Sequence, residues 1–389
     1  MDKHSINQEN KGGDNVGRDK VTNIQEQHVY QSGDREIPKY LTSWPRLSET
    51  LIGRGEDLDR LKEKLASAGR VVVVNGMGGI GKTSLAAQYV QESLATWKHL
   101  AWIEQSDSFV LAMQTQANLA NNLGIELSGE PEKDVAMVLN GLSNLAGPSL
   151  LVIDNAEGDI EPYLKQLPRE NWTVLLTSRE RLAKTELFPL DFLEKESAIQ
   201  LFQTHYDLDP APGTIERIVE LVQAHTLTLE VLAKTAQNLE IQPLQKLVNL
   251  LEEKGLAIGK PVDFSAVEHY QGQNVQRLFP YLEAIFTLPD FRETELHLLK
   301  QFLVLPPELY TWDFLQKALG LVEEEPKDTY LFALKRLVKL GWINYSSEGY
   351  QMHRVIQEVL KKQHTIEWSD VEAWVEWLSE DLLSLDESK

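Results

Sequence analysis

Gly76-Met77-Gly78-Gly79-Ile80-Gly81-Lys82-Thr83 satisfies the spacing G-x-x-x-x-G-K-[ST], the spacing of a loop that wraps a chain of phosphates. Each position is asked for different chemistry. Glycines at Gly76, Gly78, Gly79 and Gly81 bring the main chain close to an anion with no Cβ in the way. The N–H groups of the loop, through Ile80 and into Lys82, Thr83 and Ser84, point at that anion. Lys82 would reach the β and γ phosphates, and Thr83 would give a hydroxyl to Mg2+. Such a loop works between a buried strand and a helix. Val71-Val72-Val73-Val74 supplies the strand and Leu85-Ala86-Ala87-Gln88-Tyr89-Val90 the helix. The sequence is therefore expected to bind a nucleoside triphosphate or its product.

A second constellation supports the first. Leu150-Leu151-Val152-Ile153-Asp154 is an apolar strand ending in a carboxylate, which places Asp154 at the sheet's carboxyl edge to hold Mg2+ beside Thr83. Asn155 follows. Hydrolysis needs a group that orients or deprotonates water, and an amide cannot take a proton. Glu157 and Glu104 are weak substitutes, so slow hydrolysis and a retained nucleotide are expected. Arg179 ends the strand Trp172-Thr173-Val174-Leu175-Leu176-Thr177-Ser178 at the same edge and could sense a γ-phosphate through a bidentate contact. Arg54, in Ile52-Gly53-Arg54, could cover the nucleotide base.

These groups need a scaffold that puts strand ends side by side. Strands at 71–74, 99–104, 149–154, 172–179 and 188–190 alternate with helical stretches at 57–67, 111–123 and 133–145, which implies a parallel sheet with helices on both faces. From Glu194 to about Leu256 the pattern is helical only. Residues 272–363 are helical again but end differently, with a helix at Thr329–Leu340, a hairpin over Gly341–Met352 and a helix at His353–Lys362, the outline of a winged helix. The expected organisation is a polar arm (1–40), a nucleotide-binding domain (41–193), a helical domain (194–271), a winged helix (272–363) and an acidic helix (364–389), in which Val371, Trp374, Trp377, Leu378 and Leu382 share a face. Residues 37–40 and 44–45 look like linker.

The 389 residues carry 59 acidic against 38 basic side chains, a net charge of −21, which opposes generic nucleic-acid binding. Cysteine is absent, so disulfides and thiolate metal sites are excluded. No apolar run reaches spanning length and no signal-peptide pattern opens the chain, so a cytoplasmic protein is expected.

Taken in order, these pieces resemble the NB-ARC type of STAND signalling ATPase, the nucleotide switch of plant immune receptors and apoptosome proteins. Ile52-Gly53-Arg54-Gly55-Glu56 resembles its hydrophobic-Gly-Arg-Glu entry, with Gly55 inserted. Gly76–Thr83 is similar to its loop almost letter for letter, and the strands ending at Asp154 and Arg179 resemble its Mg2+ and sensor strands. Met352-His353-Arg354 resembles its Met-His-Asp element, whose histidine reaches the ADP β-phosphate and locks the resting state. The resemblance carries that role to His353. The implied fold is an α/β P-loop NTPase domain followed by an all-helical domain and a winged helix, with ATP or ADP and Mg2+ as cofactors. The departures are Asn155 in place of a second acid, Arg354 in place of the acid after His353, and Thr226-Leu227-Thr228-Leu229 where the family has Gly-Leu-Pro-Leu. Base packing there would fall to Leu227 or Leu229.

The implied function is an ATP/ADP switch that joins copies of itself on activation by an unknown trigger and engages a separate effector. Residues 12–34 offer either a disordered tail or a self-assembly segment; Gly13–Val21 resembles Gly/Asn-rich amyloid-forming motifs. The alternative is a nucleotide-regulated transcription regulator that presents Lys335, Arg336 and Lys339 to DNA, although a solvated charged face explains those residues as well. A small-molecule phosphotransferase would need a substrate pocket with its own base, and no such constellation stands out.

Overall fold

Four consecutive valines leave no polar face, and the strand they form, β1 (Val71–Asn75), is buried along its whole length. That is the pattern of a parallel sheet covered on both sides. β1 is joined by β2 (His99–Glu104), β3 (Ser149–Asp154), β4 (Trp172–Ser178) and β5 (Glu186–Pro189) in the order β2-β3-β4-β1-β5. Every pairing among them is parallel. The structure, a computed structural model, describes residues 36–47, 51–66, 71–105, 108–183, 185–258, 275–287, 289–321, 324–346 and 349–386. The arm expected to reach an effector through residues 12–34, including Gly13–Val21, lies outside them. The chain separates into Met1–Ile37 and Pro38–Lys389, and the description below concerns the second unit.

Around the sheet pack α1 (Gly55–Leu65), α2 (Lys82–Ser93), α3 (Phe109–Thr115), α4 (Ala117–Leu123) and α5 (Pro131–Ser143). The single helix expected over 111–123 is two, broken at Gln116, whose ψ of 57° leaves the helical well. Next come α6 (Lys195–His205), α7 (Thr214–Leu221), α8 (Thr226–Asn238), α9 (Gln245–Ile258), α10 (Val275–Phe286), α11 (Glu293–Val304), α12 (Trp312–Ala318) and α13 (Glu324–Lys339). An antiparallel hairpin, β6 (Asn344–Ser346) with β7 (Gly349–Gln351), leads into α14 (Arg354–Gln363) and α15 (Trp368–Asp386). One contiguous core runs from Leu193 to Leu360, so the two expected C-terminal domains share their interior. Leu334, Leu337 and Leu340 of the helix before the hairpin lie inside that core. On α15, Trp377 meets Phe314 edge to face at 5.4 Å.

The linker expected at residues 37–40 and 44–45 is a correction. Tyr40 forms a parallel bridge with Leu100 on edge strand β2. Leu100 N–H donates to Lys39 C=O, and Leu41 N–H donates to Leu100 C=O, both at 2.8 Å. Leu41 is fully buried and Trp44 enters the core beneath the sheet. Two isolated apolar residues in a polar run carry no periodicity to read. The unpaired backbone of an edge strand recruits them all the same.

Candidate functional site

Four strand ends converge on one edge of the sheet. β1 runs into the glycine loop, β2 ends at Glu104, β3 at Asp154, and β4 just before Arg179. Asp154 is buried, and Thr83 Oγ1 donates to its carboxylate at 3.0 Å. Thr177 Oγ1 donates to the same carboxylate, and Asn155 N–H donates to Thr177 Oγ1 at 3.0 Å. Burial pushes the Asp154 carboxyl upward, against the hydroxyls of Thr177 and Thr83 and the charge of Lys82. A hydroxyl and a carboxylate side by side form a hard, all-oxygen donor set that suits Mg2+, which keeps waters and shares substrate phosphates instead of needing a protein cage. No cluster of three or more His, Cys, Asp or Glu able to hold a metal occurs among the described residues.

Lys82 Nζ donates to the carbonyls of Gly76 at 2.9 Å and Met77 at 2.8 Å. Burial, then Arg179 nearby, pushes its ammonium down to about 7. A polyanion in the loop would supply the missing countercharge. The lining of a 250 Å3 cavity includes Gly78, Lys82, Thr83, Asp154, Arg179 and His353. Gly79, Gly81, Ser84 and Leu227 also face it. One expected loop contact falls elsewhere. Gly76 N–H donates to Ser178 C=O at 3.3 Å, so it belongs to the sheet ladder. Gly76 is still required, because a Cβ there would meet Leu190 O at 2.7 Å. The Ile80 side chain is fully buried in the core under the sheet, while the residue also lines the adjoining cavity.

A second cavity of 460 Å3 shares Gly81, Ser84 and Thr226 with the first, and Arg54, Leu193 and Leu201 are in its wall. Arg54 is not poised free over a base. Its guanidinium donates to Ile80 C=O and to Asp57, both at 2.9 Å, so it braces the loop and forms the wall at once.

Sequence reasoning missed His225. Its ring is fully buried and caps α8, with Nδ1 accepting from Thr228 N–H at 3.3 Å. Nε2 lies 2.8 Å from Gly78 C=O, and because a carbonyl only accepts, that nitrogen carries the proton. Burial depresses His225 to about 4, so the ring is neutral at neutral pH. Beside it, Leu227 N–H donates to Gly79 C=O and Thr226 Oγ1 to Ile80 C=O, both at 3.1 Å. Three consecutive loop carbonyls are thus held by the start of one helix. The Thr-Leu-Thr-Leu stretch performs this without a proline. A histidine immediately before a helix is a readable cap signal, but nothing local names the distant carbonyl it meets.

α14 approaches the loop from the other side. A Cβ on Gly78 would meet Val355 Cγ2 at 2.8 Å and Arg179 Cζ at 3.1 Å, so glycine permits this contact. His353 caps α14, its Nδ1 accepting from Val355 N–H at 3.1 Å. Burial in the cleft, then Arg179 and Lys82, push its imidazole down to about 3. Arg179 Nη1 donates to Glu358 of α14 at 2.6 Å, and Arg354 donates to Glu157 at 2.7 Å. Both ion pairs join the sheet-edge loops to α14. At the hairpin, Gln351 Nε2 donates to Glu104 at 3.3 Å. Burial, then the carboxylates of Asp154 and Glu308, raise Glu104 to about 8.

Residues 54–206 match the family model of the NB-ARC domain. The chain is 26% identical over 223 residues to the transcription activator GutR of Bacillus subtilis, a match covering 50% of this chain and 26% of that protein. It is 30% identical over 135 residues to an uncharacterized WD repeat-containing protein of Nostoc sp., covering 31% of this chain and 10% of that protein. The matches thus span about a quarter or less of those relatives' own length. Similar solved structures include the Walker-type ATPase PABY2304 of Pyrococcus abyssi, with 16% identity, coverage of 82% of this chain and 99% of that one, and a TM-score of 0.39. Another is Cdc6p from Pyrobaculum aerophilum, with 14% identity, coverage of 83% and 98%, and a TM-score of 0.36. No helix among the described residues is long and apolar enough to cross a membrane. The strand–loop–helix phosphate cradle lies inside the matched segment, so it is residues 54–206 of this chain that are similar to the NB-ARC domain.

Proposed function

We propose that the protein is an ATP/ADP-dependent signalling switch, held closed by its C-terminal region and opened when ATP replaces ADP. The observation that carries this reading is the Arg179–Glu358 pair at 2.6 Å. Arg179 faces the phosphate cavity, yet its guanidinium is engaged by a carboxylate from α14. A γ-phosphate arriving in that cavity competes with Glu358 for the same donor, and the phosphate, carrying more charge and three acceptor oxygens, wins. Release of Glu358 loosens α14, and with it His353 and Val355 at the loop. In the ADP state the cavity's inner end is occupied by the β-phosphate between Lys82 and His353, and the sheet region and the C-terminal region, the two bodies of the switch, stay together.

In this reading Gly78, Gly79, Gly81, Lys82, Thr83 and Ser84 hold the phosphates, Thr83 and Asp154 the Mg2+, and Leu227 with the wall at Arg54 the base and ribose. When bound, Mg2+ would offset charge on the β and γ phosphates. The helix–hairpin–helix run of α13, β6–β7 and α14 acts as a winged helix whose role is to latch. The opened surfaces then join several copies in the cytoplasm, and the assembly engages an effector in a response such as immunity or programmed cell death.

The transcription-regulator reading draws support from the likeness to GutR. Against it, Arg336 of α13 is committed to an ion pair with the buried carboxylate of Glu295, leaving Lys335 and Lys339 as the exposed cations of that face. The test is the nucleotide carried by purified protein together with its mass in solution. ADP in a monomer, and growth in mass with an ATP analogue, is the expected result. A nucleotide-free constitutive dimer would overturn the switch, and a salt-sensitive shift with duplex DNA would favour the regulator.

A further inference from the structure

We propose that Glu104 is the catalytic base for ATP hydrolysis at this site, taking the role that Asn155 cannot fill. The inference rests on the nucleotide reading above and adds to it the group that activates water. Glu104 and Asp154 are register partners on neighbouring parallel strands, so both carboxylates leave the sheet at the same level of the same edge. Adjacent strands lie about 4.8 Å apart, which sets Glu104 one strand outward from the metal-holding carboxylate. Glu104 lines the same 250 Å3 cavity as Lys82, Thr83, Asp154 and Arg179. Its carboxylate faces into that cavity, since Gln351, another lining residue, donates to it at 3.3 Å.

The competing candidates are engaged elsewhere. Asn155 is an amide, and its N–H is spent on Thr177 Oγ1. Glu157 is paired with Arg354 at 2.7 Å and is not part of the cavity lining. His353 has its basic nitrogen occupied by Val355 N–H at 3.1 Å. Glu230, also in the lining, is paired with Lys234, and Asp154 accepts from Thr83 and Thr177. Glu104 is left as the carboxyl with access to a water beside the phosphates, and since burial raises it to about 8, the base is its ionised form, the minority form at neutral pH.

In the step, the water oxygen bonds to the γ-phosphorus as the bond from that phosphorus to the bridging oxygen breaks. ADP departs with the electron pair, and the water's proton passes to the Glu104 carboxylate and then to solvent. Gln351 belongs to the hairpin that leads into α14, so the base is tethered to the same body that holds Arg179.

The test is Glu104→Gln, which keeps size and the contact with Gln351 while removing the base. Three readouts are taken on the full chain: single-turnover phosphate release, affinity for ATP with Mg2+, and the nucleotide recovered from purified protein. The proposal predicts a fall in phosphate release of about 100-fold or more, unchanged affinity, and ATP recovered from the variant where wild type yields ADP. Phosphate release within about twofold of wild type, with binding intact, would overturn it. A fall in rate accompanied by an equal loss of affinity would also overturn it, because that is the pattern of a merely structural residue. Failure of both proteins to bind nucleotide would instead sink the nucleotide reading on which the proposal stands.

Discussion

Replacing Glu358 by Gln probes the contact between the two bodies with the least disturbance to either. Glu358 accepts from Arg179 Nη1 at 2.6 Å and lies 3.6 Å from Arg354 Nε. The Arg179 and Glu358 side chains retain 25% and 33% of their exposure, so solvent screens the pair and a fully buried estimate does not apply. An exposed ion pair contributes about 0–1 kcal/mol, and a charge-assisted hydrogen bond about 1.5–3 kcal/mol. A value between these, about 1.4 kcal/mol, corresponds to a tenfold change in equilibrium. If the open form is populated at about 0.1–10% in the resting protein, a tenfold shift raises it to about 1–50%, which reaches balance at the upper end of that range. Fluorescent ADP chased from wild type and from Glu358→Gln gives the rate, and light scattering gives the mass. The variant should release ADP roughly tenfold faster and form larger species at lower ATP. Equal release rates and equal masses, in a variant whose thermal midpoint is unchanged, would refute the idea that this pair holds the closed form.

Further expectations concern other parts of the site. Lys82→Ala removes a charge-assisted donor and should weaken nucleotide binding by about 1.5–3 kcal/mol, measured by titration calorimetry; an unaltered affinity would contradict its role. Asp154→Asn should leave nucleotide affinity without Mg2+ nearly untouched and abolish the gain that Mg2+ gives, so a preserved Mg2+ effect would argue against the metal site. His225→Ala leaves the buried Gly78 carbonyl without its donor and should cost about 1–3 kcal/mol in denaturant unfolding. Acid should reveal the same residue. Its pKa is depressed to about 4 in the fold, so its contribution is present above the unfolded value near 6.5 and is lost as pH falls toward about 4. Over that window His225 accounts for roughly 3 kcal/mol of lost stability, and His225→Gln should flatten the corresponding slope of unfolding free energy against pH.

The parallel sheet was legible because its strands are unusually pure. Val71–Val74 and Leu150–Ile153 have no polar face, and each ends in the residue type that its place at the carboxyl edge demands. The cavity residues Lys82, Thr83, Asp154 and Arg179 were legible for the same reason, since strand ends fix side-chain position from local sequence alone. What stayed hidden depends on distant partners. Glu358 looks like an ordinary surface carboxylate of an amphipathic helix until folding brings it to Arg179, 179 residues away in sequence. His225 reads as a cap, and only the packing of α8 on the loop reveals its bond to Gly78, 147 residues distant. Arg54, expected to cover the nucleotide base, is a buried brace of the loop, because the Ile80 carbonyl and Asp57 satisfy its guanidinium together. Residues 37–40 and 44–45 look like linker in the sequence because the attachment at Lys39–Leu41 is made by backbone groups, which side-chain patterns do not report.

The chain contains no cysteine, so two spin labels can be placed without background. Glu63→Cys on α1 and Lys361→Cys on α14 are both exposed positions, one on each body. Pulsed electron resonance between them, with ADP and then with a non-hydrolysable ATP analogue and Mg2+, reads the contact directly. The account predicts one narrow distance with ADP and a longer, broader population with the analogue. The same narrow distance in both states would contradict it.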